Sequence, residues 1–245
     1  MTRFKTLKRE LETLLLPPAW EEGADTVPPG AAAVVGMEAV GPLLALLPRG
    51  GLLQWRAVIL LGRAVAAMAA KDMEEARTVM RRCMWHLNED SGNMGWGVAE
   101  AMGEIAAQSP ALAAEYGRVI LSYGRDTGFA DNFIDHAALR RGTWWAIGRF
   151  APLYPEYREE AAELLYAGLA DEDAQCRGIA AWGTGKLAAT GMSADAAMAG
   201  KILERLAAVT SQDLCEVLDG LPLCADPAAS FARQAVALFT GSRSR

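Results

Sequence analysis

The sequence predicts an all-α fold, a right-handed superhelical stack of about five helix pairs closed by terminal helices. Three observations carry that expectation. Alanine and leucine dominate, β-branched residues are sparse, and nearly every long segment repeats its apolar residues with helical periodicity. Hydrophobic residues make up 52% of the 245 and charged residues 22%, enough apolar surface for a sizeable core. Four segments share a glycine followed by a charged residue: LLGRA at Gly62, AMGEI at Gly103, AIGRF at Gly148 and GTGKL at Gly185. They stand 41, 45 and 37 residues apart, a spacing typical of two-helix repeats.

Alignment on that glycine extends the repeat. Nine residues earlier stand Leu53, Met94, Leu139 and Cys176, and five earlier Ala57, Val98, Thr143 and Ala180. One earlier stand Leu61, Met102, Ile147 and Thr184, and two later Ala64, Ile105, Phe150 and Leu187. Steps of four, four and three trace one helix face. Glycine inside a helix costs about 1 kcal/mol relative to alanine, so four at one register point to close helix–helix approach.

The elements follow in order. Residues 1–15 read as an amphipathic helix, and PPAWEEGADTVPPG, residues 17–30, as a loop. Residues 72–87, 110–123, 155–170 and 193–209 read as first helices of pairs, several starting after Pro, Ser or Asp. The four glycine segments are the second helices. Residues 211–223 and then 226–240 close the C-terminal end as further helices, and GSRSR frays. This organisation predicts one domain over 1–245: N-terminal helix and loop in 1–30, helix-pair repeats in 31–223, and a capping helix and tail in 224–245. Each pair cannot bury its face alone, so the stack is expected to be one cooperative body.

The stretch DEDAQCRGIAAWGTGKLAA, residues 171–189, resembles a HEAT-like repeat of the phycobilisome-lyase type. In that pattern an Asp starts the second helix, an Arg follows four residues on, and A-x-x-x-G comes next. Asp173, Arg177, Ala181 and Gly185 match in spacing. Around Gly148, Arg140 fits, while His136 and Trp144 replace Asp and Ala. Around Gly103 and Gly62 the Arg position holds Gly95 and Gln54. The resemblance covers roughly residues 50–190. It implies a HEAT/armadillo-like solenoid, with Gly62, Gly103, Gly148, Asp173, Arg177 and Gly185 as repeat-forming residues, and leaves function open.

Charge narrows the function. The chain carries a net charge of −6 and a pI near 5.1, which argues against a phosphate-tracking nucleic-acid binder. The N-terminus has basic residues but no apolar region of signal-peptide length. No run of about 18 apolar residues is present, so a cytoplasmic protein without a membrane span is expected. Cys83, Cys176, Cys215 and Cys224 form no CxxC pair and read as buried thiols.

The most distinctive stretch is WHLNEDSGNMGWGVAEAMGEI, residues 85–105. In the repeat register Trp85 to Leu87 end a first helix, NEDSG forms the turn, and MGWGVAEAMGEI opens the second helix. Asp90 or Ser91 is then the cap. Gly95 and Gly97 fall in the first helical turns, where close packing or a bound ligand explains them. The glycines fit no phosphate-binding spacing. His86, Glu89 and Asp90 lack a second cluster to complete a metal site, and no cofactor is expected. Glu100 and Glu104 lie four apart; a solvated face is the expected reading over a catalytic pair.

A protein-recognition surface remains: aromatic anchors Trp85 and Trp96 among polar groups His86, Glu89, Asp90, Asn93 and Glu100. A contrasting basic group in the next repeat includes Arg118, Arg125, Arg140, Arg141, Arg149 and Arg158. The expected function is therefore a non-enzymatic adaptor whose partner is a protein. The alternative is a bilin-lyase-like or other cofactor-handling protein with a pocket for a small apolar ligand. Asp131, Asp135, Arg140, Arg141, Trp144 and Trp145 also resemble the residue mix of a HEAT-like DNA glycosylase. Against it, residues 83–117 hold five acidic residues and no Lys or Arg. Trp144 or Trp145 is expected in the core.

Overall fold

The computed structural model describes residues 3–88, 95–129, 131–191, 196–221 and 223–241. Helix accounts for 70% of the chain and strand for 4%. The chain forms two compact units, residues 1–116 with 218–224, and residues 117–217 with 225–245. The first boundary falls inside a helix rather than in a linker.

Unit 1 holds α1 (Arg3–Leu15), the short α2 (Pro29–Ala32), α3 (Met37–Leu44), α4 (Gly51–Ala69), α5 (Met73–Leu87), α6 (Val98–Gln108) and the start of α7 (Pro110–Ser122). α1 buries Leu11 and Leu15, as its amphipathic pattern requires. Its following loop is held by Arg56 of α4, which is 4% exposed. The guanidinium donates to the carbonyls of Leu15 (2.7 Å), Trp20 (3.0 Å) and Glu21 (2.9 Å) and stacks over the buried Trp20 ring at 5.0 Å. Burial of this cation is tolerated because every direction it faces offers an acceptor or a π face. α4 is long and apolar enough to cross a membrane, but 67% of that window is buried in the protein; it is the core helix of unit 1. The Asp72 carboxylate caps α5 by accepting from the Glu74 and Glu75 amides.

α4 and α6 meet at Gly62. A Cβ there would stand 2.6 Å from Glu104 Cγ and 3.3 Å from its backbone, so only glycine admits this approach. α6 begins later than its sequence pattern suggests. Gly97 is the N-cap, with φ +71, and the Val98 amide donates to the Gly95 carbonyl at 3.1 Å. Gly95 and Gly97 therefore lie in the turn before the helix. Gly97 is needed for its left-handed backbone, and a Cβ there would also strike Leu47 Cβ at 2.9 Å.

Unit 2 holds the end of α7, then α8 (Ala137–Phe150), α9 (Pro155–Gly168), α10 (Ala174–Ala188), α11 (Ala196–Ala208), most of β1 (Leu214–Leu218) and β2 (Leu223–Pro227), whose residues 218 and 223–224 group with unit 1, and α12 (Ala228–Gly241). α8 and α10 cross at Gly148 and Gly183, where a Cβ on Gly148 would lie 2.6 Å from Gly183 Cα. Beside that crossing the Trp145 and Trp182 rings stack, 6.2 Å apart and 4° from parallel. Both are buried, as is Trp144. Gly185 meets α12 less tightly, 3.3 Å from a built Cβ to Ala235 Cα.

Residues 211–221 are not helical. β1 and β2 pair as a two-stranded sheet, which corrects the expectation of a helix there. The residues of β1 alternate, with Cys215 and Val217 buried and Leu214 and Glu216 exposed, a period of two rather than 3.6. The Cys215 sulfur and Ala228 fill the space in front of Gly178 of α10.

Candidate functional site

The predicted recognition residues of unit 1 separate by burial. Trp85, at the end of α5, is 55% exposed. Its ring sits edge-on to His86 at 5.3 Å and 65°, and His86 and Trp96 are half-buried. One turn earlier Arg82 is exposed and has no described ion pair. The other arginines of this helix are engaged: Arg77 binds Glu115 through Nε at 2.8 Å and Nη2 at 2.6 Å, and Arg81 binds Glu74 at 2.5 Å. Glu89, Asp90 and Asn93 lie outside the described residues.

Glu100 and Glu104 are not a solvated face. They are 9% and 3% exposed, because α4 packs along this side of α6. Gln54 Nε2 donates to the Glu100 carboxylate at 3.2 Å, and Gln108 Nε2 donates to Glu104 at 2.8 Å. No described cation reaches Glu100. Burial pushes its pKa up to about 7, against the smaller opposing effects of a backbone amide and Gln54.

In unit 2 two arginines of the predicted basic group, Arg140 and Arg141, form salt bridges within the protein. Arg140 is 8% exposed. Its Nε and Nη2 bind both oxygens of Asp171, at 2.7 and 2.8 Å. Its Nη1 donates to the carbonyls of Ile134 (2.9 Å) and Asp135 (2.6 Å). Arg141 binds Asp173 in the same two-pronged way, at 2.9 and 2.6 Å. These arginines hold α8 to the start of α10. The Arg141 bonds outweigh burial and, with the Cys176 amide, hold Asp173 at about 2. Burial works against the charge of Asp171, yet the Arg140 bonds keep its carboxyl below the usual range.

Asp173 caps α10 by accepting from the Cys176 amide at 2.8 Å. Arg177 donates to the carbonyls of Asp171 (2.7 Å) and Glu172 (2.9 Å). Arg140 does the same six and five residues back. Gly103 is buried in α6.

A cleft of about 460 Å³ opens in unit 2 beside the Arg140–Asp171 pair. Trp144, Leu164 and Ala167 form its apolar lining, and Phe133 stands over the Arg140 guanidinium at 5.1 Å. The Trp144 ring is wedged between Gly124 and Gly168, and its Nε1 donates to Asp171 at 3.2 Å. Asp126, Asp135 and Glu172 bring exposed carboxylates to the cleft. Asp131 lies nearby in the chain, but both its oxygens hold its own loop, accepting from Thr127 and Phe133.

The thiols are sequestered. Cys83, Cys176 and Cys215 are buried and Cys224 is half-buried. Burial pushes Cys83 and Cys215 up to about 12 and raises Cys176 further. Among the described residues no group of three or more His, Cys, Asp or Glu is placed to hold a metal ion.

No protein-family model matches the chain, and no curated protein and no solved structure is similar to it.

The sequence reading missed Asp171, Gln54 and Arg56. Asp171 was accessible: Arg140 and Arg177 occupy the same register, and Asp171 sits two residues before the helix cap. Gln54 and Arg56 carry no comparable signal, since their roles depend on which way α4 turns.

Proposed function

We propose that this chain is a non-enzymatic binding protein, a HEAT-like solenoid adaptor of the cytoplasm, that recognises a partner protein through the surface where α5 ends. The observation that carries the reading is Trp85. A tryptophan 55% exposed is unusual on a free surface, and tryptophan is among the residues most enriched at binding hot spots. Arg82, one turn back and without a described ion pair, adds a charged contact beside it. His86 packs edge-on against the Trp85 ring.

The chemistry of the other groups supports binding over catalysis. Three buried cysteines are kept as thiols at neutral pH. Asp171 and Asp173 hold arginines and a helix start.

The test is affinity capture from host lysate with wild type and with Trp85→Ala, read by mass spectrometry. The expected result is one or a few proteins captured by wild type and lost from Trp85→Ala at unchanged thermal midpoint. Equal capture by both would move the site off α5. Capture of no protein by wild type would end the adaptor reading.

A further inference from the structure

We infer that the cleft of unit 2 binds a small organic cation, an aliphatic ammonium or guanidinium compound. Its volume, about 460 Å³, is that of a small-molecule site. Its electrostatics select the sign of the ligand. Two arginines reach the cleft, and both are ion-paired within the protein, Arg140 with Asp171 and Arg125 with Glu160, a carboxylate it shares with Arg118. Three carboxylates then remain on Asp126, Asp135 and Glu172, exposed and without a described cationic partner. The residues that follow the C-termini of α7 and α9 also line the cleft. Both negative helix ends therefore border it and add to the same field.

The shape and lining select the chemical type. The carboxylates do not converge into a group able to hold a metal ion, so a compact cation gains no coordination shell here. An extended cation can place its charge among them and lay an aliphatic stem on Trp144, Leu164 and Ala167. An anionic ligand would meet three like charges, and a neutral one would leave them unused. The site is separate from the Trp85 surface, and the two readings fail independently.

Titration calorimetry on the full chain at about 0.15 M salt tests this, with spermidine and agmatine as free amines and N-acetyl-argininamide as a fragment of a protein chain. The expected result is saturable binding at one site, weakened tenfold or more in Asp135→Asn/Glu172→Gln. Those positions are exposed, so the double variant should keep the wild-type thermal midpoint, and Asp126→Asn provides a second variant should it not. Tighter binding of the free amines assigns the cleft to a free metabolite. Tighter binding of N-acetyl-argininamide assigns it to a protein side chain. No saturable binding of any probe, unchanged affinity in both variants, or equal displacement by magnesium would overturn the inference.

Discussion

Glu100→Gln should stabilise the protein, and only above a particular pH. Glu100 is 9% exposed, with Gln54 as its hydrogen-bond partner and no described counter-ion. The N-terminus of α6 favours its charge, but not enough to offset burial. Its carboxyl titrates at about 7 in the folded chain, against 4.5 ordinarily. The folded state therefore binds the proton more firmly than the unfolded state. Stability from the protonated form is fully present below pH 4.5 and is lost as pH rises through about 7. At about 1.36 kcal/mol per pH unit, the loss amounts to about 3 kcal/mol. Glutamine keeps an acceptor for Gln54 and carries no charge at any pH. Wild type and Glu100→Gln should thus unfold alike near pH 4.5, and the variant should be more stable by about 3 kcal/mol at pH 8. For a chain of this size that is about 6–10 °C in thermal midpoint. Asp173 does not confuse the result. Its lowered pKa gives stability that is present above 3.8 and is lost only as pH falls toward about 2. Calorimetric melts of both proteins from pH 4.5 to 8 suffice. A stability difference that stays constant across that range would refute the account of Glu100 as a buried, uncompensated acid.

Four further outcomes are expected. Gly148→Ala should cost about 1–3 kcal/mol, because its methyl would meet the Gly183 backbone at 2.6 Å. Gly185→Ala, with 3.3 Å to Ala235, should cost less than about 1 kcal/mol; equal thermal midpoints for the two would remove the close-packing account. Asp171→Asn should cost about 3–5 kcal/mol in chemical denaturation, because it leaves the Arg140 guanidinium buried without its counter-charge, and a loss below about 1 kcal/mol would contradict that pairing. His136→Asp should raise stability by about 1 kcal/mol, since His136 gives α8 no side-chain cap whereas Asp173 caps α10; a lowered midpoint would count against it. Native Cys83, Cys176 and Cys215 should resist a maleimide at pH 8 while Cys224 labels faster, and equally fast labelling of all four would show that burial does not protect them.

Helices were legible wherever one face repeats with period 3.6 and a cap marks the start. α5 begins after Asp72 and α10 after Asp173, both readable from the residue type. The pattern misled where a short segment carries a different period. β1 alternates over five residues, and cysteine, valine and leucine there fit a helix face equally well at that length. Gly95 and Gly97 were placed inside α6 because the apolar register continues through them. The left-handed backbone of Gly97 keeps the helix from starting before Val98, and no sequence period reports a dihedral angle. The site was harder than the fold. Whether Arg140 is a surface cation or an internal one depends on Asp171, 31 residues away, and whether Glu100 is solvated depends on α4. Exposure is a tertiary property, and the residue types alone do not carry it.

The hydrogen bonds of Arg140 and Arg177 give the repeat a physical meaning that glycine spacing only implied. Each arginine stands eight residues before its glycine and donates to the carbonyls six and five residues behind it. In α8 and α10 the arginine at this register thus clasps the loop before the helix, and its charge is not free for a ligand. The same holds for Asp171 and Asp173. Once those groups are assigned to holding the fold, the exposed side chains that remain are Trp85 and Arg82 on α5, and Asp126, Asp135 and Glu172 around the cleft, of which Asp126 also accepts from the Gly128 amide of its own loop. Those are the side chains on which both binding proposals rest.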